Sequence, residues 1–322
     1  VDMYDKNKGV EAGEIALCFL SCLVAGRISE EEYEDVAYYS LLAVDNVIDL
    51  MEYPFPQVEN TAKGRRSVGI GITNLAHDMA VRGLGYSSLE GKNYMHSLAE
   101  MHSFYLHSAS LRLAKEKGNC SLINRTKYPE GWLPVDTYNK NVDDVHSQGL
   151  KFDWESLRKG IIKQGGIRNS VLEATPPAES SSQASETTNS LYPIREFYTV
   201  KRSGSTVNTF AAPDIEKEEV KNSYELAYNV PTKDIIDCYA IFQKFHGQGI
   251  SCDLYTNYSK YEGEKVPLTV MMKDYFYATK MGLKSLYYQN SKGGIKEDET
   301  KVTVAATSIL EDEEDDCESC RM

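Results

Sequence analysis

The chain has no long apolar run, no basic stripe and no second Cys-x-x-Cys pair, and each absence removes a class of function. Without an apolar stretch long enough to cross a bilayer and without a recognisable secretory signal, no membrane role is expected, and a cytoplasmic setting is the default. The formal net charge is −13, and ten acidic against two basic residues between Glu297 and Met322 place −8 of it in that stretch, leaving −5 for residues 1–296. Nothing in the nearly balanced body would neutralise a run of phosphates, so polymer nucleic acid is not an expected partner. Cys317 and Cys320 form a Cys-x-x-Cys pair with no second pair to complete a zinc site. His96, His102 and His107 are not three or four residues apart, so they are expected to be surface or satisfied core histidines, and no metal site is expected. The odd count of seven cysteines fits a reducing compartment, where thiols are free or catalytic.

What is present suits a folded body. With 322 residues, 41% of them hydrophobic and 26% charged, the chain can bury roughly three quarters of its unfolded surface. Glu14–Val24 reads as a buried strand. Ser29 and Glu32 form a capping box ahead of a helix whose apolar stripe runs from Tyr33 through Leu41, Val44, Val47 and Ile48 to Met51. Ser67–Asn74 reads as a glycine-containing strand; Gly69 and Gly71 lack the third glycine and the downstream acid of a dinucleotide loop. Leu89–Lys117 is a long helix capped by Gly118, Asp153 starts another, and Gly165–Ala174 is strand-like. A hairpin is expected around Ser203-Gly204-Ser205, a helix capped by Thr232 and running to about His246, a strand at Ile250–Tyr255, and a helix opened by Pro267. This alternation predicts an α/β fold with largely parallel strands, followed from Lys292 by a disordered acidic tail.

Three features carry chemistry. Tyr287 and Tyr288 are adjacent phenols, a redox candidate as well as ordinary half-buried aromatics. On a strand they would point to opposite faces, so a pair that touches needs a bend, for which Gln289 and Asn290 are candidates. The stretch Pro176-Pro177-Ala178-Glu179-Ser180-Ser181-Ser182-Gln183 is a proline-ended, hydroxyl-rich helix start, which either holds a phosphate on amides and hydroxyls or merely caps the helix. Cys317 and Cys320 can close a disulfide and exchange it with another dithiol.

In this order, Gly13-Glu-Ile-Ala-Leu-Cys18, Gly166-Ile-Arg-Asn-Ser170, Pro177–Gln183, Leu286-Tyr-Tyr-Gln289 and the terminal cysteines resemble the C-terminal part of the large (α) subunit of class I ribonucleotide reductase. The resemblance implies that residues 1–291 supply most of the second half of a ten-stranded α/β barrel built from two five-stranded parallel halves, with 292–322 as the tail. It implies radical reduction of ribonucleoside diphosphates at the 2′ carbon. Tyr288 would receive the radical from a metal-containing small subunit and pass it through Tyr287 to a catalytic cysteine, this chain itself binding no cofactor. Cys18 would be one of two reducing thiols, and Cys317 and Cys320 would re-reduce the resulting disulfide with electrons from thioredoxin or glutaredoxin. Pro177, Glu179, Ser180 and Ser181 would hold the substrate diphosphate, and Pro267–Lys280 resembles the helix that binds the small subunit's C-terminal peptide. Ala178 departs from the hydroxyl residue frequent in the family. The radical cysteine with its asparagine and glutamate, and the second reducing thiol, would precede Val1. The chain is therefore expected to need an N-terminal part of the large subunit, with a naturally split subunit at least as expected as a truncation. The competing expectation is a binding-only protein that sequesters the small subunit. Cys22 is expected to be a small core residue.

Overall fold

A computed structural model describes residues 13–203 and 206–293. β1 (Phe19–Val24) is joined through α1 (Tyr33–Leu50) and α2 (Pro56–Arg65) to β2 (Val68–Thr73), which lies parallel to it in unbroken register from Phe19–Val68 to Val24–Thr73. Parallel neighbours require such a crossover. The strand starts only at Phe19, and Cys18 and Leu20 are exposed, so the run from Glu14 is not the buried strand its composition suggests.

All six residues of β2 are buried. Along its other edge runs the segment 170–174, whose Val171 and Leu172 carbonyls accept hydrogen bonds from the amides of Val68 (3.1 Å) and Ile70 (2.8 Å). The strand-like signal of Gly165–Ala174 thus corresponds to a chain laid against β2 without being a regular strand. A Cβ on Gly69 would lie 2.7 Å from that of Ala174, and one on Gly71 would lie 2.5 Å from the Ala174 carbonyl oxygen. The two glycines serve close backbone approach.

The capping box forms ahead of α1: Ser29 Oγ accepts from the Glu32 amide (3.3 Å), and Glu32 Oε2 accepts from the Ser29 amide (3.4 Å). The buried face of α1 differs from its apolar stripe, since Val47 and Met51 are 48% and 45% exposed while Asp45 is fully buried. Asp45 is compensated by Arg66 at 2.6 Å and Arg168 at 3.2 Å. A buried ion pair thus sits on the core-facing side of the helix, at a position outside the apolar stripe.

After α3 (Leu75–Val81) comes the central helix α4 (Leu89–Lys117), which packs against α1 and against the later helix at Thr232–Gln243. Ser88 Oγ accepts from the Gly91 amide (2.9 Å) at its start, and Gly118, with φ 84°, ends it. Its three histidines are all core residues. His102 lies between the Tyr33 hydroxyl (2.9 Å) and the Ile70 carbonyl (2.9 Å). His107 lies between the Ser103 carbonyl (2.8 Å) and the Tyr128 hydroxyl (3.2 Å). His96 packs on His146 and Phe245 with neither ring nitrogen hydrogen-bonded, so it is neither at the surface nor satisfied.

α5 (Trp154–Gln164) is capped by Asp153, and α6 (Glu179–Ala184) begins inside the proline- and serine-rich stretch. β3 (Tyr198–Ser203) and β4 (Thr206–Ala211) form the expected antiparallel hairpin. After α7 (Glu218–Ser223), α8 (Thr232–Gln243) takes Pro231, not Thr232, as its N-cap. β5 (Cys252–Asn257) is joined through α9 (Leu268–Lys280) to a parallel β6 (Leu286–Lys292), which ends one residue beyond the expected domain edge at 291. The described strands make three two-stranded sheets, two parallel and one antiparallel, and no closed barrel. Among the described residues no helix is long and apolar enough to cross a membrane.

Candidate active site

The tyrosine pair sits where β6 breaks register with β5. Cys252 faces Leu286, but Leu254 faces Gln289, so β6 carries one extra residue across Tyr287 and Tyr288. Such a bulge re-aims side chains that would otherwise alternate. Both rings therefore lie together, with centroids 4.0 Å apart at 51° and hydroxyls 3.2 Å apart, and they stay 52% and 56% exposed. The bend falls on the tyrosines themselves; Gln289 and Asn290 come after it. The buried Asp253 on β5 accepts from the Tyr288 amide (3.2 Å) and from Asn290 Nδ2 (3.1 Å), with Arg195 3.7 Å away. Burial raises its pKa, while Asn290 and the Tyr288 amide pull it back down. Sequence reading passed over Asp253; the signal available was a charged residue inside the apolar run Ile250–Tyr255.

Cys18 stands just before β1. It is the exposed one of the five cysteines among the described residues, with Cys22 intermediate and Cys120, Cys238 and Cys252 buried. Partial burial raises the pKa of Cys18, so this thiol is not activated in this setting. It faces a cavity of about 600 Å³ that Arg65, Arg125, Val171 and Gly249 also line. Glu14 at this cavity contacts both Arg65 and Arg125. A Cβ on Gly249 would lie 3.1 Å from Ser285 Oγ, so the cavity reaches the root of the tyrosine strand.

Pro177, Glu179, Ser180 and Ser181 are exposed at the start of α6, and Ala178 is buried. The Ala178 amide is taken by Asn189 Oδ1 (2.7 Å), and the first bond within the helix runs from the Ser182 amide to the Ala178 carbonyl (2.8 Å). The amides of Glu179, Ser180 and Ser181 thus precede the helical ladder, as helix geometry requires. The carboxylate of Glu179 meets Lys201 of β3 at 3.1 Å. Beneath this loop, buried Glu173 pairs with His107 at 3.2 Å, which lowers the carboxyl pKa and raises that of the imidazole against their desolvation. Thr175 Oγ1 lies 3.0 Å from His246 Nε2, and Lys284 Nζ donates to the carbonyls of His246 (3.4 Å) and Gly247 (2.8 Å) just before β6. The base of the loop and the root of the tyrosine strand therefore meet through His246.

The structure brings Tyr287 and Tyr288 together and gathers Glu179, Ser180 and Ser181 on one turn, while Cys18 lies on a separate segment. Cys317 and Cys320 lie outside the described residues, as does the tail beyond 293. Among the described residues no group of three or more His, Cys, Asp or Glu is placed to hold a metal ion.

A family model described as the ribonucleotide reductase barrel domain matches residues 9–289. The chain belongs to the ribonucleotide reductase barrel-domain family. It is 39% identical over 312 residues to the ribonucleoside-diphosphate reductase subunit alpha of Buchnera aphidicola subsp. Schizaphis graminum, covering 96% of this chain and 39% of that protein. The Escherichia coli K12 ribonucleoside-diphosphate reductase 1 subunit alpha is 40% identical over 253 residues, 78% of this chain and 33% of that protein. Its counterpart from Enterobacteria phage T4 is 32% identical over 315 residues, 96% of this chain and 40% of that protein. The chain thus spans roughly two fifths or less of each of these relatives, and the absence of a closed barrel among the described strands is consistent with a partial barrel.

Proposed function

We propose that this chain is the C-terminal portion of the catalytic subunit of a ribonucleoside-diphosphate reductase, acting with an N-terminal part of the large subunit and with a small subunit. The observation that carries the reading is the bulged β6, which keeps two phenols in hydroxyl contact and half exposed. Tyr288 gives up a proton and an electron toward the small subunit, Tyr287 refills it by passing a hydrogen atom across the hydroxyl contact, and Tyr287 in turn takes one from the catalytic cysteine of the N-terminal part. The radical originates in the metal-containing small subunit, and no cofactor is assigned to this chain.

At the substrate, the 2′ C–O bond breaks and the hydroxyl leaves as water. Two thiols, one of them Cys18, supply two electrons and two protons and end as a disulfide. Exposure at a cavity suits Cys18 for this, and its raised pKa favours the protonated thiol that such a donor needs. Cys317 and Cys320 then exchange with that disulfide and are reduced by thioredoxin or glutaredoxin. The diphosphate sits on the open amides of Glu179, Ser180 and Ser181, with Pro177 shaping the entry.

The test is reconstitution. This polypeptide with the small subunit and a dithiol is expected to reduce no nucleotide, and activity is expected once the N-terminal part of the large subunit is added. Reduction without that part, or failure of the two large-subunit pieces to associate, contradicts the proposal.

A further inference from the structure

A strand one residue shorter in its count than its neighbour needs a reason to stay that way, because closing the register would recover a ladder hydrogen bond and return Tyr287 and Tyr288 to opposite faces. Between the paired positions Cys252–Leu286 and Leu254–Gln289, β5 advances two residues and β6 three. The single β5 residue opposite the extra one is Asp253. Its side chain is an acceptor-only carboxylate that is 2% exposed, in a strand where aspartate is disfavoured and where burying a charge is costly. Each oxygen has a task. Oδ1 accepts from the amide of Tyr288, which lies inside the bulge, and Oδ2 accepts from Asn290 Nδ2, which also donates to the Leu254 carbonyl at 3.3 Å. One carboxylate thus supplies acceptors to two positions of the bulged strand, one inside the bulge and one just beyond it.

The geometry points to Asp253 as a positioning residue that holds the β6 bulge open, and thereby keeps the Tyr287 and Tyr288 rings in contact on one face. It touches neither substrate nor cofactor and acts through the backbone of Tyr288 and the side chain of Asn290. That the contact serves radical transfer rests on the function proposed above; that Asp253 maintains the contact does not.

The experiment separates the two. A fluorotyrosine placed at position 288 reports its neighbour by ¹⁹F NMR, and in the otherwise unaltered chain its shift is expected to move when Tyr287→Phe is introduced. Asp253→Leu, of the same branched shape but bulkier and without acceptors, is expected to abolish that response and to speed hydrogen exchange of the Tyr288 amide. Asp253→Asn retains a carbonyl oxygen for that amide and is expected to preserve both signals. A response that persists in Asp253→Leu, a response lost in Asp253→Asn, or a Tyr288 amide that already exchanges freely beside Asp253 overturns the assignment. In the complete reductase, Asp253→Leu is expected to lower kcat about 10- to 100-fold, the scale of a misplaced reacting group, with little change in KM for the nucleoside diphosphate. Lost ¹⁹F coupling with normal turnover leaves the positioning role standing and breaks the radical reading instead.

Discussion

β2 and β6 are both the second strand of a parallel pair, and they are built in opposite ways. β2 keeps perfect register with β1, is buried at every position and has glycines where the 170–176 segment presses on it. β6 breaks register with β5, leaves both tyrosines more than half exposed and leans on a buried aspartate. The first arrangement maximises packing; the second maintains the mutual position of two phenols at a local structural cost. Substitutions in the frame of β2 should therefore lower stability, and those at β6 and α6 should lower activity or binding with the fold intact.

The largest expected loss of stability lies beside β2. Arg66→Ala would strip buried Asp45 of its 2.6 Å partner, and breaking a buried pair costs about 3–5 kcal/mol. Urea unfolding should show it, and a loss below about 1 kcal/mol would mean that the remaining partners Arg168, Lys117 and Asn169 suffice to compensate Asp45. Next comes binding at α6: in the assembled enzyme Ser181→Ala should weaken nucleoside diphosphate binding by about 1.5–3 kcal/mol, or about 10- to 150-fold, while unfolding is unchanged. Unchanged affinity would remove Ser181 from the site. Gly71→Ala should cost about 1–3 kcal/mol, because the new methyl meets a backbone carbonyl that cannot swing aside. A melting temperature equal to that of the parent would show that the 174–176 segment gives way.

The smallest effect is one of pH. Burial, with His146 and Lys244 nearby, lowers the pKa of His96 to about 3 from an ordinary 6.5. The unfolded chain then binds the extra proton first as pH falls, so this group's contribution to stability is complete above pH 6.5 and is lost progressively toward pH 3. His102, lowered to about 4, acts in the same direction, whereas the raised pKa of His107 opposes it. His96→Leu should therefore flatten, without abolishing, the loss of stability between pH 7 and pH 5, and an unchanged slope would contradict the burial of an uncharged imidazole there.

Local chemistry was legible from residues alone. The capping box at Ser29 and Glu32, the bounds of α4, the Asp153 cap and the hairpin around residue 204 all depend on neighbours within a few positions, and they stand where spacing puts them. Asp45, Glu173 and Asp253 were not legible, because their compensating partners lie 21, 66 and 35 or more residues away in sequence. The same holds for the tyrosines. Adjacency announced a pair, but the bulge that makes them touch is a property of two strands separated by α9, and no periodicity within β6 records it. Family resemblance named the candidate residues; only the fold shows what holds them.

The central claim is that the tyrosine pair relays a radical. The direct measurement is nucleoside diphosphate reduction by the assembled enzyme carrying Tyr287→Phe or Tyr288→Phe, alongside unfolding of each variant. Phenylalanine keeps the ring and removes only an exposed hydroxyl, so stability should change by less than about 0.5 kcal/mol while turnover falls to background. Normal turnover by either variant would contradict the claim.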